Sequence, residues 1–158
     1  MQDGLRELES VPDTVTFIEP SQALSRIREV ESLLAECDGV VSICDPYVDG
    51  RTLDFLANCR SVSEILLLTM NINKPAPFRR DLQAFRQEHS TIPIEVRTGP
   101  QGVLHDRYLV DDKRMLIFGT SLNSLGKKQS FVIAAGEDLR RVVLAEFQRV
   151  WQQSTVWT

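Results

Sequence analysis

Residues 102–128 read GVLHDRYLVDDKRMLIFGTSLNSLGKK and hold one of the two histidines of the chain. Two strand-like runs, VLHDRYLV and RMLIFG, stand in this stretch with only a short turn between them, so they predict neighbouring strands without a helical crossover. In the first run the side chains alternate. Val103, His105, Arg107 and Leu109 share one face, and Leu104, Asp106, Tyr108 and Val110 share the other. A histidine and an arginine therefore point the same way from an otherwise apolar strand.

Working outward, SFVIAAG adds a third strand-like run, and EDLRRVVLAEFQRVWQQS then closes the pattern as a helix. Its expected apolar face comprises Leu139, Val142, Val143, Phe147, Val150 and Trp151. Upstream the order differs, because strand and helix alternate. VTFIE reads as a short strand, and PSQALSRIREVESLLAECDG as a helix capped by Ser21 and stopped by Gly39, with Leu24, Ile27, Leu34 and Ala35 on one face. VVSIC is a buried strand and RTLDFLANC a helix. EILLLTM, PFRRDLQAFRQEH and IPIEVRT continue as strand, helix and strand. Alternation of this kind requires crossovers and so predicts an α/β fold, with a mixed, largely parallel sheet flanked by helices. Residues 1–14 read as a polar N-terminal arm and residues 15–158 as one domain.

A chain of 158 residues with a formal charge of -4 lacks the basic excess of a protein held on nucleic acid by a long row of phosphate contacts. Any anion site must be local. Cys37, Cys44 and Cys59 lack the close pairing of a zinc knuckle and read as reduced packing residues of a cytoplasmic protein. No apolar run reaches the length of a membrane span, and the acidic, polar start does not read as a signal peptide.

The chemistry concentrates between His105 and Lys128. A guanidinium that never loses its proton, set beside an imidazole, favours the neutral and nucleophilic imidazole. The imidazole can attack phosphorus or accept a proton, while Arg107 forks onto non-bridging oxygens. Asp112, across the following turn, is placed to orient an imidazole. Thr120, Ser121 and Asn123 supply neutral donors and Lys127 and Lys128 supply cations, after a Gly119 that allows close backbone approach. A nucleotide P-loop is rejected, because six residues separate Gly119 from Gly126 where four are needed, and Lys127 is followed by lysine. Lys74, Arg79 and Arg80 read as the solvated start of a helix, His89 as polar surface, and Trp151 and Trp157 as core or dimer-interface residues.

His105, one residue, Arg107, four residues, Asp112, six residues and Gly119 together resemble the HxKx4Dx6G signature of the phospholipase D superfamily, with Arg107 in the lysine place. Asn123 stands one position later than that pattern puts it. The resemblance implies one half of the family's two-lobed fold. It also implies a likeness to the short bacterial nucleases that carry a single motif and pair two chains, hence a homodimer through the motif face. In that scheme one subunit's His105 is the nucleophile and its mate the acid, no metal or cofactor takes part, and the reaction passes through a phosphohistidine. Arg107, Asn123, Lys127 and Lys128 would hold the phosphate, Thr120 or Ser121 would donate to it, and nucleic acid would be the partner. The HDR sequence also resembles the membrane-binding C-terminal module of certain midbody-associated proteins. That implies the other reading, a non-catalytic module that recognises a phosphate of nucleic acid, nucleotide or anionic lipid head group.

Overall fold

The computed structural model describes residues 15–100, 104 and 106–158; the expected N-terminal arm lies outside them. Ten strands and four helices follow in the order β1 (Val15–Ile18), α1 (Ala23–Ala35), β2 (Gly39–Cys44), β3 (Tyr47–Val48), α2 (Gly50–Leu56), β4 (Val62–Thr69), β5 (Asn71–Ile72), α3 (Pro75–Glu88), β6 (Ile94–Thr98), β7 (Tyr108–Val110), β8 (Met115–Phe118), β9 (Ser130–Ala135), α4 (Glu137–Gln153) and β10 (Thr155–Val156). Eight strands form one sheet in the order β1-β9-β8-β7-β2-β4-β6-β10, and β3 pairs with β5 in a separate parallel ribbon.

The sheet is mixed, as expected, but it is not largely parallel. Only β2–β4 and β4–β6 are parallel; the other five pairings of the large sheet are antiparallel. The physical reason is connection length. Helices α2 and α3 provide the crossovers that parallel neighbours need, whereas β7, β8 and β9 follow one another through turns and short loops and so must run antiparallel. The two outermost strands, β1 and β10, add two further antiparallel pairings at the edges.

One face of the sheet carries Ile43, Ile65, Leu67, Val96, Leu109, Leu116 and Val132, packed with Val30 and Leu34 of α1, Leu53 and Leu56 of α2 and Phe78 and Leu82 of α3. Helix α4 packs on the opposite face, where Phe147 and Val150 meet Cys44, Leu68 and Leu104. The apolar faces expected of two helices are only partly buried. Leu24 in α1, and Leu139 and Val142 in α4, are exposed at 68%, 45% and 68%.

Local signals explain several boundaries. Asp49 caps α2 by accepting from the Arg51 N–H at 2.9 Å, and Thr52 Oγ1 accepts the Asp49 N–H at 3.2 Å. Ser21 is not the cap of α1. It lies in a 3-10 turn, Pro20–Gln22, which leads directly into the helix. Gly39 does follow α1, with φ +70°, and a Cβ there would strike the Asp112 carboxylate. Cys37, Cys44 and Cys59 are buried free thiols. Trp157 packs edge-on to Phe78 and Trp151 stacks on Phe147, so both take part in packing. No helix among the described residues is long and apolar enough to cross a membrane.

Candidate functional site

Strand register decides what surrounds Arg107. Cys44 opposes Tyr108 and Tyr108 opposes Ile117, so one step further along the sheet Arg107 falls between Asp45 and Phe118. The Phe118 N–H donates to the Arg107 carbonyl at 2.9 Å and fixes this extension of the pairing. Asp45 leaves the carboxyl end of β2, next to the end of its parallel neighbour β4. In open α/β sheets ligands bind beyond such strand ends.

Asp45 is the residue the sequence reading missed, because DPYVDG reads as a turn. It is 1% exposed. Its Oδ1 accepts from the Tyr47 N–H at 3.1 Å and its Oδ2 from the Leu122 N–H at 2.9 Å. Burial pushes its carboxyl above the ordinary value, opposed by the Ser121 hydroxyl, the two backbone donors and the charge of Arg107. The available signal was an ionisable residue directly after the apolar run VVSIC, opposite an arginine in register.

The arginine closes the arrangement. Arg107 Nε donates to Ser121 Oγ at 3.1 Å, and Ser121 is itself buried. Neither Nη atom of Arg107 hydrogen-bonds to another described residue, which leaves the outer edge of the guanidinium available to an anion. Ser121 precedes a 3-10 turn, Leu122–Ser124, that is tied back on both sides. Asn123 Nδ2 donates to the Tyr47 carbonyl at 3.3 Å, and Arg51 donates to the carbonyls of Asn123 and Leu125 at 3.2 and 2.6 Å.

The structure thus brings Arg107 and Ser121 together, with Thr120 beside them in sequence, and does not join Asp112, Asn123, Lys127 or Lys128 to them. His105 lies outside the described residues. Asp112 stands past the other end of β7, where its Oδ1 accepts from the Val40 N–H at 3.3 Å and its own N–H donates to the Asp38 carbonyl. The Asn123 amide is engaged with Tyr47 and Ser124. Lys127 and Lys128 are exposed, and no hydrogen bond or ion pair among the described residues joins them to Arg107 or Ser121. Gly126, just before them, packs against Ile27 and Ala23 of α1. Gly119 serves packing: a Cβ there would meet the Phe131 ring at 2.9 Å.

Asp111 is a buried turn residue. It accepts from the backbone N–H groups of Asp38, Lys113 and Arg114. Arg79 lies over Trp157 and donates to the Thr158 carbonyl, and Arg80 pairs with Asp81.

No family model and no curated protein matches the chain. Solved structures do. Nuc of Salmonella typhimurium, a phospholipase D family member, superposes with a TM-score of 0.65 at 13% identity over 91% of this chain and 97% of its own. NucT from Helicobacter pylori gives 0.62 at 7% identity over 91% and 99%. TrmBL2, an archaeal chromatin protein whose structure shows a novel mode of DNA binding, gives 0.54 at 13% identity over 97% of this chain and 60% of its own. At these identities the likeness concerns the backbone, and it runs through nearly the whole chain: the protein has the phospholipase D-like fold.

Proposed function

We propose that the chain is a phosphodiesterase acting on nucleic acid, as a homodimer that brings two copies of His105 to one phosphate. The observation that carries this reading is the juxtaposition of Arg107, from the start of the HxRx4Dx6G pattern, with Ser121, which follows its closing glycine, at the carboxyl end of the central strands. In the reaction, the imidazole of one His105 attacks phosphorus, forming an N–P bond as the P–O bond to the leaving group breaks. The partner's His105 gives its proton to the departing oxygen. Water then attacks the phosphohistidine, breaks the N–P bond and returns a proton to the partner's imidazole. Arg107 stabilises the charge that develops on the non-bridging oxygens. The scheme uses no metal, and a cytoplasmic setting with reduced thiols goes with it.

Support for pairing comes from the α4 side of the sheet. On that side Phe17 and Phe131, a directly opposed pair in β1 and β9, are exposed at 48% and 39%. Phe131 and Leu139 line one cavity with Arg107 and Ile117, so an apolar surface stands beside the Arg107 end of β7, suited to a second copy. The likeness to TrmBL2 favours nucleic acid as the partner.

The test is direct. Single- and double-stranded DNA, RNA and a chromogenic phosphodiester are incubated with the protein in chelator, beside a His105→Ala variant. Cleavage that resists chelator and vanishes in the variant is the expected result, with a dimer in sedimentation. Equal background in both proteins, with phosphate binding that disappears in Arg107→Ala, overturns catalysis and leaves the phosphate-recognising module.

A further inference from the structure

A serine hydroxyl has one proton and two lone pairs. At Ser121 one lone pair is occupied, because Arg107 Nε donates to Oγ at 3.1 Å. Beside it stands the Asp45 carboxylate, which accepts from the N–H groups of Tyr47 and Leu122, the latter the residue next to Ser121. Both Ser121 and Asp45 are buried, so water does not compete for these bonds. A serine in this setting can serve as a relay: its lone pair is held by Arg107, and the Asp45 carboxylate, fixed by the N–H of the next residue, stands beside it as an acceptor.

From this geometry we infer that Asp45 is the positioning residue of the site, orienting the Arg107 guanidinium through the Ser121 hydroxyl so that both Nη atoms face the ligand. This rests on the reading of Arg107 as the phosphate-holding group and deepens it. A lysine has no Nε–H to place on a serine, whereas an arginine held at Nε keeps its terminal fork free. Asp45 and Ser121 therefore suit the arginine that stands in the lysine place.

The assignment has a readout that needs neither substrate nor turnover. The Arg107 Nε–H signal in a nitrogen-15 NMR spectrum, identified by its loss in Arg107→Lys, should be protected from solvent exchange in the wild-type protein. In Ser121→Ala and in Asp45→Asn its exchange should speed up by at least about tenfold, and Ser121→Thr, which keeps a hydroxyl, should restore protection. Ser121→Ala leaves the backbone bonds to Asp45 in place, so it tests the relay even if Asp45→Asn fails to fold. Affinity for inorganic phosphate should fall in Ser121→Ala in the Arg107 background and stay unchanged by the same substitution in Arg107→Lys. Unchanged protection in Ser121→Ala, or equal loss of phosphate affinity in both backgrounds, overturns the relay. A protein that neither binds nor cleaves phosphodiesters while its Nε–H signal behaves as described overturns the proposed function and leaves the positioning intact.

Discussion

A buried aspartate stands by each end of the short strand β7, Asp111 following it and Asp45 opposite it from the end of β2, and the two serve different purposes. Beyond the carboxyl end, Asp111 receives N–H groups from Asp38, Lys113 and Arg114 at 3.0, 2.9 and 2.7 Å, with Arg114 Nε 3.9 Å away. Its own carbonyl accepts from Arg140 at 3.2 and 2.7 Å. Every strong donor there is spent on the fold. At the amino end Asp45 receives two backbone donors beside Ser121, whose hydroxyl accepts from an arginine that makes no other side-chain bond among the described residues. The same residue type, equally buried, closes a turn in one place and in the other supports a side chain turned outward.

That contrast can be broken from either end. Arg107→Ala should lower phosphodiester turnover by about a hundred- to a thousandfold, the scale for removing one preorganised donor to a developing charge, with little change in the urea midpoint. A large loss of stability with unchanged turnover would place Arg107 on the structural side. Asp111→Ala should do the reverse. It strands three backbone donors in a buried turn and should cost about 3 kcal/mol in urea unfolding, with phosphate affinity retained in the protein that stays folded.

A smaller effect sharpens the comparison through pH. Burial raises the Asp45 pKa in the folded chain above its ordinary 3.8, so between those values the folded protein keeps a proton that the unfolded chain has released. The contribution of Asp45 to stability is therefore fully present below the unfolded value and is lost as pH rises through the raised folded value. Relative to Asp45→Asn, the wild-type protein should lose stability as pH rises from about 3.8 through the raised folded value. Thermal unfolding of both across this window decides it, and a constant difference would remove Asp45 as the titrating group.

The part of the fold legible in the sequence was the part carried by period and punctuation. Three strand-like runs after Gly102 without a helix between them announced antiparallel pairing, and VVSIC, EILLLTM and IPIEVRT announced the parallel centre. What the sequence could not supply was the balance between the two, since the edge pairings of β1 and β10 depend on strands far away in the chain. Burial of α4 was half legible. Phe147 and Val150 meet the sheet, whereas Leu139 and Val142 share their spacing and lie exposed.

The site divides along the same line. Arg107 and Ser121 are fourteen positions apart, and their meeting follows from one turn between two strands, which spacing encodes. Asp45 enters from a strand more than sixty positions earlier, and only the pairing of β2 with β7 brings it there. Asp112 kept its spacing but stands at the opposite end of β7, on the β2 side of the turn after α1, with its carboxylate against the Val40 N–H.

Arg51 gives the loop that carries Ser121 a property of its own. Its guanidinium, set over the Phe55 ring at 5.7 Å, holds the carbonyls of Asn123 and Leu125. Guanidinium groups stay charged at every pH a folded protein survives, so this clamp does not loosen with acidity. The loop is fastened at one edge by a group that cannot titrate and at the other by Asp45, which can, so a change of pH reaches it from one edge only.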